Sequence, residues 1–252
     1  MYSQAITRRP CKKFAAGITS SNLGKPDYVL MLQQHHAYVE TLTHLGVQVT
    51  ELEPLDEYPD AHFVEDTAVV IPEIVIIARP GAKSRRGEEI TIEDELARYK
   101  NIEKIKAPGT VDGGDVLITG KKAYIGISER TNQEGANQLS EILKNFGYDS
   151  TYISVKKGLH LKSDVNFIGK NTVLMTDNFF DTQDFKSYNK IIVKPEESYA
   201  ANSLLVNNKL IIPKGFPEIK LRLLQADFDV IELDMSEPQK MDGGLTCLSL
   251  RF

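Results

Sequence analysis

Residues 116–127 read VLITGKKAYIGI, in which two short apolar segments flank a polar turn that contains glycine. This pattern is typical of a β-hairpin. Three more segments have the same form: residues 67–78, 165–175 and 203–212. An acidic or amide residue precedes each of the four, and Asp66, Asp115 and Asp164 stand 49 residues apart. The constant spacing indicates an internal repeat built on a hairpin.

Between the hairpins the sequence changes to a helical pattern and then returns to strand. Residues 133–146 place Ala136, Leu139 and Leu143 at helical spacing, and residues 152–155 follow as a strand. The helical pattern recurs in three further segments: residues 29–45, 93–99 and 218–226. Each repeating unit therefore consists of a hairpin, a helix and a third strand.

A fifth copy of the unit is divided between the two ends of the chain. Residues 245–252 predict one strand and residues 3–7 predict its partner, so we expect the two ends to meet. Five such units in a closed circle predict an α/β fold whose small modules surround a central axis. No linker interrupts residues 1–252, which we interpret as a single domain. An open α/β sheet with coincidental spacing is the alternative that the pattern leaves.

Composition narrows the class of protein. The 252 residues are 41% hydrophobic and 26% charged, which is typical of a globular chain with its own core. A net charge of -5 without a basic stripe argues against nucleic-acid binding. No stretch approaches the roughly 20 apolar residues that cross a membrane, and no signal peptide is visible, so we expect a cytoplasmic protein without a membrane partner. Cys11 and Cys247 are then expected to be free thiols.

Cys247 and His160 are the candidates for nucleophilic chemistry. The cysteine stands in MDGGLTCLSL, after two glycines that allow close approach of backbone or substrate, and the histidine stands in GLHLK. A thiol and a distant histidine outline a nucleophilic site that folding assembles. Because cysteine is among the most buried residue types, an inert packed thiol fits this pattern equally well.

Acidic residues lie at corresponding ends of the predicted hairpins. They occur in DAHFVED, which contains Asp60, Glu65 and Asp66, and in DGGD, which begins with Asp112. Carboxylates gathered at one pocket repel each other unless they bind a cation, and a planar guanidinium offers the matching donors. Taken singly, Asp115, Asp164 and Asp242 are better explained as solvated hairpin ends or strand caps.

Seven ordered segments, which together span most of the chain, closely resemble the dimethylarginine dimethylaminohydrolase family of the guanidine-modifying, or pentein, superfamily: FVEDTAVV, ARPGAKSRRGE, APGTVDGGDV, GISERTNQEGA, GLHLKS, ESYAAN and DGGLTCLSLRF. The resemblance implies a five-bladed α/β propeller with pseudo-fivefold symmetry around a central channel. It also implies hydrolysis of N-methylated arginines to citrulline and methylamines, with neither metal nor organic cofactor. The implied partner is a small guanidine substrate.

The resemblance also implies residue roles. Cys247 falls on the family's nucleophile, His160 on its general acid/base and Asp112 on the acid that supports the histidine, where some relatives have Glu. The substrate-binding positions fall on Ile18, Asp60, Glu65, Asp66, Arg85, Arg130, Met241 and Ser249. Among these, the acids are expected to hold the guanidinium, the arginines to grip the amino-acid end, and Ile18 and Met241 to contribute backbone contacts, Ile18 from a loop over the site.

Other functions remain as alternatives. Arginine deiminases and amidinotransferases share the thiol chemistry, but the deiminase histidine motif usually continues with an acid where this chain has Lys162. Ribosomal anti-association factors share the fold and bind large surfaces without a Cys/His pair. A metal hydrolase that uses His62, Glu65 and Asp66 lacks any common ligand spacing. We interpret the remaining histidines as surface or cap residues: His35, His36 and His44. Whether two copies pair as a homodimer is left open.

Overall fold

The fold, taken from a computed structural model that describes residues 1–156 and 158–252, contains five three-stranded sheets. The strands are β1 Gln4–Arg8, β2 Gln48–Leu52, β3 Ala68–Val70, β4 Val75–Ile77, β5 Ile102–Lys104, β6 Val116–Thr119, β7 Lys122–Ile127, β8 Asp149–Ser154, β9 Val165–Phe167, β10 Thr172–Thr176, β11 Asn189–Val193, β12 Leu204–Val206, β13 Lys209–Pro213, β14 Val230–Leu233 and β15 Leu250–Arg251. The helices are α1 Tyr28–His44, α2 Glu88–Leu96, α3 Gln133–Lys144, α4 Leu161–Asp164, α5 Pro217–Gln225 and α6 Ser236–Lys240.

Every sheet repeats the arrangement that the sequence predicts. In the second unit, β6 and β7 form an antiparallel hairpin with Val116 opposite Ile125, and β8 pairs parallel to β7 with Lys122 opposite Asp149. Helix α3 makes the crossover that a parallel connection requires. The hairpin turn between β12 and β13 has Asn207 and Asn208 at positive φ, as tight primed turns demand.

The divided fifth unit brings the two ends of the chain together, as predicted. β1 pairs antiparallel with β15, where Ala5 lies opposite Arg251, and parallel with β2. The predicted strand over 245–252 is shortened, because residues Thr246–Leu248 form a 3₁₀ turn. The backbone N–H of Thr246 donates to Oδ1 of Asn202 and so cannot contribute to a strand ladder.

The helical segments differ from the prediction in two units. α2 begins at Glu88, five residues before the predicted start at 93, directly after Gly87 with a φ of 114°. In the third unit, two 3₁₀ turns, Asp177–Phe179 and Gln183–Phe185, take the place of a helix. α1 and α3 begin as expected for capped helices, since the Asp27 and Asn132 side chains accept N–H groups from their first turns.

Hydrogen bonds between neighbouring units close the circle. They include Gly114 N–H to Asp66 Oδ1, Leu161 N–H to Asp115 Oδ1, Asn166 Nδ2 to Ala201 O, Thr246 N–H to Asn202 Oδ1 and Thr246 Oγ1 to Glu65 Oε2. The acid or amide that precedes three of the hairpins thus caps the next unit. Asp115 is fully buried, so the interpretation as a solvated hairpin end is wrong for it.

The core lies between each sheet and its covering segments. In the second unit, Leu139 and Leu143 of α3 pack with Ile125 and Tyr148.

His35 is also buried: the residue is 1% exposed, and its Nδ1 lies 3.5 Å from Glu51. The interpretation of His35 as a surface residue is therefore wrong, whereas His36 and His44 are exposed. Within the described residues, no helix combines the length and apolar character needed to cross a membrane.

Candidate active site

One pocket collects side chains from units that lie far apart in sequence. Its lining residues are Ile18, Asp60, Phe63, Asp66, Arg85, Arg130, Leu159, His160, Met241, Asp242, Gly243 and Cys247. Of the eleven positions predicted from sequence, eight line this pocket, and a ninth, Asp112, contacts the lining residue His160. The free space within the pocket is only about 20 Å³, comparable with one water molecule. A larger molecule therefore requires movement of part of the wall.

Cys247 lies in the 3₁₀ turn Thr246–Leu248, and its Sγ accepts a hydrogen bond from the backbone N–H of Gly244 at 3.4 Å. The two preceding glycines are needed because a Cβ at Gly243 would lie 2.1 Å from Phe63 Cε1, and one at Gly244 would lie 2.4 Å from Asn202 Cγ. Burial, with smaller effects from nearby carboxylates, raises the pKa of Cys247 to about 12. The thiol form therefore prevails at neutral pH in the free protein.

His160 is held between two carboxylates. Its Nε2 lies 3.2 Å from Asp112 Oδ2 and 3.9 Å from Asp66 Oδ1. Burial lowers the pKa of His160, but the charge of Asp66 and the hydrogen bond to Asp112 outweigh it and raise that pKa to about 9. The imidazole is therefore cationic at neutral pH and carries a proton that it can give to a leaving group.

Asp66 and Arg85 form a buried ion pair in the same pocket. Arg85 Nη1 donates to Asp66 Oδ2 at 2.6 Å. Burial raises the pKa of Asp66, but the charges of His160 and Arg85 outweigh it and lower that pKa to about 2. Asp66 is therefore ionised at neutral pH, beside the imidazole and paired with Arg85.

Asp60 ties the wall of the pocket to the loop at residues 17–24. Both of its carboxylate oxygens accept the backbone N–H of Ile18, at 3.2 and 3.0 Å. A Cβ at Gly17 would lie 2.1 Å from Asp60 Oδ1, so only glycine allows this approach. The loop is held further along by Ser20, whose N–H and Oγ donate to Asp242 Oδ2. Ile18 remains 40% exposed over the pocket.

Arg130 and Met241 complete the predicted set in the pocket. The Arg130 side chain is half-buried, and it has no hydrogen-bond partner among the residues that the structure describes. Its five N–H donors are thus available to an anionic group. Met241 is buried, and its own N–H donates to Pro238 O.

Glu65 and Ser249 line a different cavity, of about 380 Å³. Glu65 accepts hydrogen bonds from Lys162 Nζ at 2.7 Å, Arg251 Nη2 at 3.1 Å and Thr246 Oγ1 at 2.6 Å. Ser249 Oγ pairs with the hydroxyl of Tyr38. Both residues therefore support the segment that carries the thiol and do not face the pocket.

Asp66, Asp112 and His160 are the set of possible metal ligands within the described chain, with ligand atoms within 4.8 Å of one another. Arg85, Gly114 and the imidazole itself already satisfy these carboxylates. His62, which the alternative of a metal hydrolase requires, is not part of this set.

Three further residues of the site were not predicted from sequence. Glu88 binds Arg85 through both carboxylate oxygens, and Asn202 binds both the backbone and the side chain of Thr246. Asp242 holds the loop through Ser20. The position of Asn202 directly before a predicted hairpin could have indicated its role. Glu88 gives no such indication, because it stands in the charged segment GEEIT, which is typical of a solvent-exposed helix start.

Five three-stranded α/β units in a closed circle, with a thiol, a cationic imidazole and paired carboxylates in one pocket, define a guanidine-modifying propeller of the pentein superfamily. The family model described as "N,N dimethylarginine dimethylhydrolase, eukaryotic" matches residues 28–248. The chain belongs to the dimethylarginine dimethylaminohydrolase family.

Individual relatives agree with this assignment. The chain is 42% identical to the N(G),N(G)-dimethylarginine dimethylaminohydrolase of Pseudomonas aeruginosa, with 100% of both chains covered. It is 36% identical to the protein of the same name from Streptomyces coelicolor, over 99% of this chain and 96% of that one. A solved structure of a cysteine-to-serine mutant of the P. aeruginosa protein, complexed with citrulline, matches over 100% of both chains with a TM-score of 0.98 and 42% identity. The five-bladed α/β propeller is thereby confirmed.

Proposed function

We propose that this chain hydrolyses N-methylated arginines to citrulline and a methylamine. The observation that carries the proposal is the opposite polarity of the two parts of one pocket. Asp60 and Asp66 lie with Cys247, where a guanidinium can bind, and Arg130 offers free donors to an α-carboxylate. Methylated arginine has these two charges at its two ends. The citrulline bound to the P. aeruginosa relative fits the product of the same reaction.

The first half of the reaction forms a covalent intermediate. The bound guanidinium places a positive charge next to Sγ, which lowers the cost of ionising the Cys247 thiol; because His160 is already cationic, the thiol proton passes to solvent. The thiolate attacks the guanidinium carbon, and an S–C bond forms. Cationic His160 gives its proton to the methylated nitrogen, and the C–N bond breaks to release the methylamine. A thiouronium group remains on Cys247.

The second half consumes water. Neutral His160 takes one proton from the water while the water oxygen bonds to the thiouronium carbon. The S–C bond then breaks, and the proton of the new hydroxyl group passes to the departing sulfur. Citrulline leaves, and Cys247 and His160 return to their initial states. Asp112 keeps the imidazole oriented through the 3.2 Å bond to Nε2.

We further propose that residues 1–252 act as one catalytic domain, because residues from both the first and the last unit line the pocket.

Citrulline release tests the proposal. Arginine, monomethylarginine and asymmetric dimethylarginine are supplied separately to the wild-type protein, with Cys247→Ser as the inactive variant. Cys11→Ser is the matched control, because Cys11 is the other free thiol and lies away from the pocket. Turnover of the methylated compounds by the wild type and Cys11→Ser, but not by Cys247→Ser, is the expected result. Turnover mainly of arginine would instead indicate a deiminase.

A further inference from the structure

Glu88 is a buried carboxylate that the mechanism above does not use. It begins α2 and is 1% exposed. Its two oxygens accept Arg85 Nε at 3.1 and 3.0 Å, and Oε2 also accepts Arg85 Nη2 at 2.8 Å. This arrangement is a bidentate ion pair between an arginine and a carboxylate, which fixes the orientation of the guanidinium as well as its position.

The remaining contacts of Arg85 show how few donors are left for a ligand. Nη1 donates to Asp66 Oδ2 at 2.6 Å, and Nη2 donates to Phe63 O at 3.0 Å. Of the five guanidinium N–H groups, the contacts within the described chain leave one, on Nη1, without a partner. Arg85 can therefore give a substrate a single well-directed hydrogen bond, whereas the guanidinium of Arg130 keeps all of its donors.

The negative charge of a carboxylate as deeply buried as Glu88 needs positive charges nearby to stabilise it. Burial raises the pKa of Glu88 to about 7, against the charge of Arg85. Arg8, which is 2% exposed, adds a second positive charge that interacts with Glu88. A buried acid between two arginines is costly to keep, and fixing a geometry is the best-attested use of such groups.

We propose that Glu88 is a positioning residue that orients the guanidinium of Arg85. The free Nη1 N–H of Arg85 and the guanidinium of Arg130 then together select substrates that carry an α-carboxylate. The inference rests on the proposed function and adds to it the origin of selectivity for the amino-acid end. Without Glu88, the Arg85 guanidinium keeps its bonds to Asp66 and to the backbone oxygen of Phe63 but loses those of Nε, so the direction of its free N–H is less well fixed.

Two substrates separate this role from a merely structural one. Citrulline release from asymmetric dimethylarginine and ureido-product release from its decarboxylated analogue are measured for the wild type and Glu88→Gln. Glu95→Gln is the matched control, because Glu95 is a buried acid of the same helix that pairs with the exposed Arg98. Glu88→Gln is expected to raise KM for dimethylarginine about tenfold, the effect of losing one hydrogen bond to a charged group, with kcat little changed. Its KM for the decarboxylated analogue is expected to stay at the wild-type value.

The outcomes distinguish this inference from the proposed function. An unchanged KM for dimethylarginine in Glu88→Gln, or an equal loss on both substrates, overturns the positioning role while wild-type turnover still supports the hydrolase. A wild-type protein that releases no citrulline overturns both. If Glu88→Gln fails to fold, Glu88→Asp serves in its place, since it keeps the charge but shortens the reach and is expected to show the same selective rise in KM.

Discussion

His160 Nε2 and Asp112 Oδ2 lie 3.2 Å apart, although 48 residues separate them in the chain. Each belongs to a different unit of the propeller, and each stands just before the first strand of its unit. Their hydrogen bond therefore depends on how neighbouring units pack. It gives the imidazole both an orientation and a charged partner, which is the arrangement that a general acid requires.

Replacing Asp112 with asparagine should weaken catalysis and shift its pH dependence. The change removes a negative charge beside the imidazole, so the pKa of His160 falls from about 9 towards its ordinary value. We expect kcat to drop about 10- to 100-fold and its alkaline decline to begin at lower pH. A kcat profile from pH 6 to 10 measures both. Asp164→Asn is the control, because Asp164 binds Thr176 and Asn178 instead of the imidazole; an alkaline decline that stays in place would refute the prediction.

The raised pKa of His160 should also make stability depend on pH. Because the folded-state pKa of about 9 exceeds the unfolded value of about 6.5, the folded protein binds this proton more tightly. The stabilisation is present below pH 6.5 and is lost as the pH rises through 9, an effect of at most about 3 kcal/mol. Urea unfolding of wild type and His160→Gln at pH 6, 7.5 and 9 should give curves whose difference shrinks with pH. A constant difference would contradict the assignment.

The charges of Glu65 and Lys162 should affect the pKa of the Cys247 thiol in opposite directions. Glu65 raises and Lys162 lowers the pKa of Cys247. In a Cys11→Ser background, Glu65→Gln is expected to lower that pKa and Lys162→Met to raise it, each by about one unit, so alkylation by iodoacetamide at fixed pH changes about tenfold in opposite directions. The double variant removes both charges and should return near the parent rate. Two single variants that shift the rate in the same direction would exclude a charge effect.

The loop at residues 17–24 should open when its contact with Asp242 is removed. Asp242 has a φ of 57°, so Asp242→Gly deletes the carboxylate without adding backbone strain. Hydrogen exchange of the loop should accelerate, and KM for dimethylarginine should change because the pocket must open for substrate to enter. Asn208→Gly is the control, since Asn208 has a similar φ of 71° in a distant hairpin turn. Unchanged exchange in Asp242→Gly would show that the remaining contacts, of Ile18 with Asp60 and of Thr19 with the backbone oxygen of Lys240, hold the loop.

Much of the fold follows from local pattern. The spacing of Asp66, Asp115 and Asp164 predicts the repeat: the first two accept a backbone N–H from the unit that follows, whereas Asp164 accepts hydrogen bonds from Thr176 and Asn178 of its own unit. Prediction fails where a long-range contact competes with local preference. The sequence of residues 246–248 predicts a strand, but the backbone N–H of Thr246 donates a hydrogen bond to Asn202 instead. The sequence also predicts that His35 lies on the surface, but α1 directs its side chain towards Glu51.

Residue type, spacing and motif order are enough to predict the five units, the thiol and imidazole candidates and the acids near the site. Which of these acids face the pocket depends on how the units pack. Asp60 and Asp66 do, while Glu65 is turned to Lys162, Arg251 and Thr246, and Glu88 enters the site through Arg85. The physical reason is that buried charges choose partners by distance and desolvation, and both are set by packing between units that are remote in the chain.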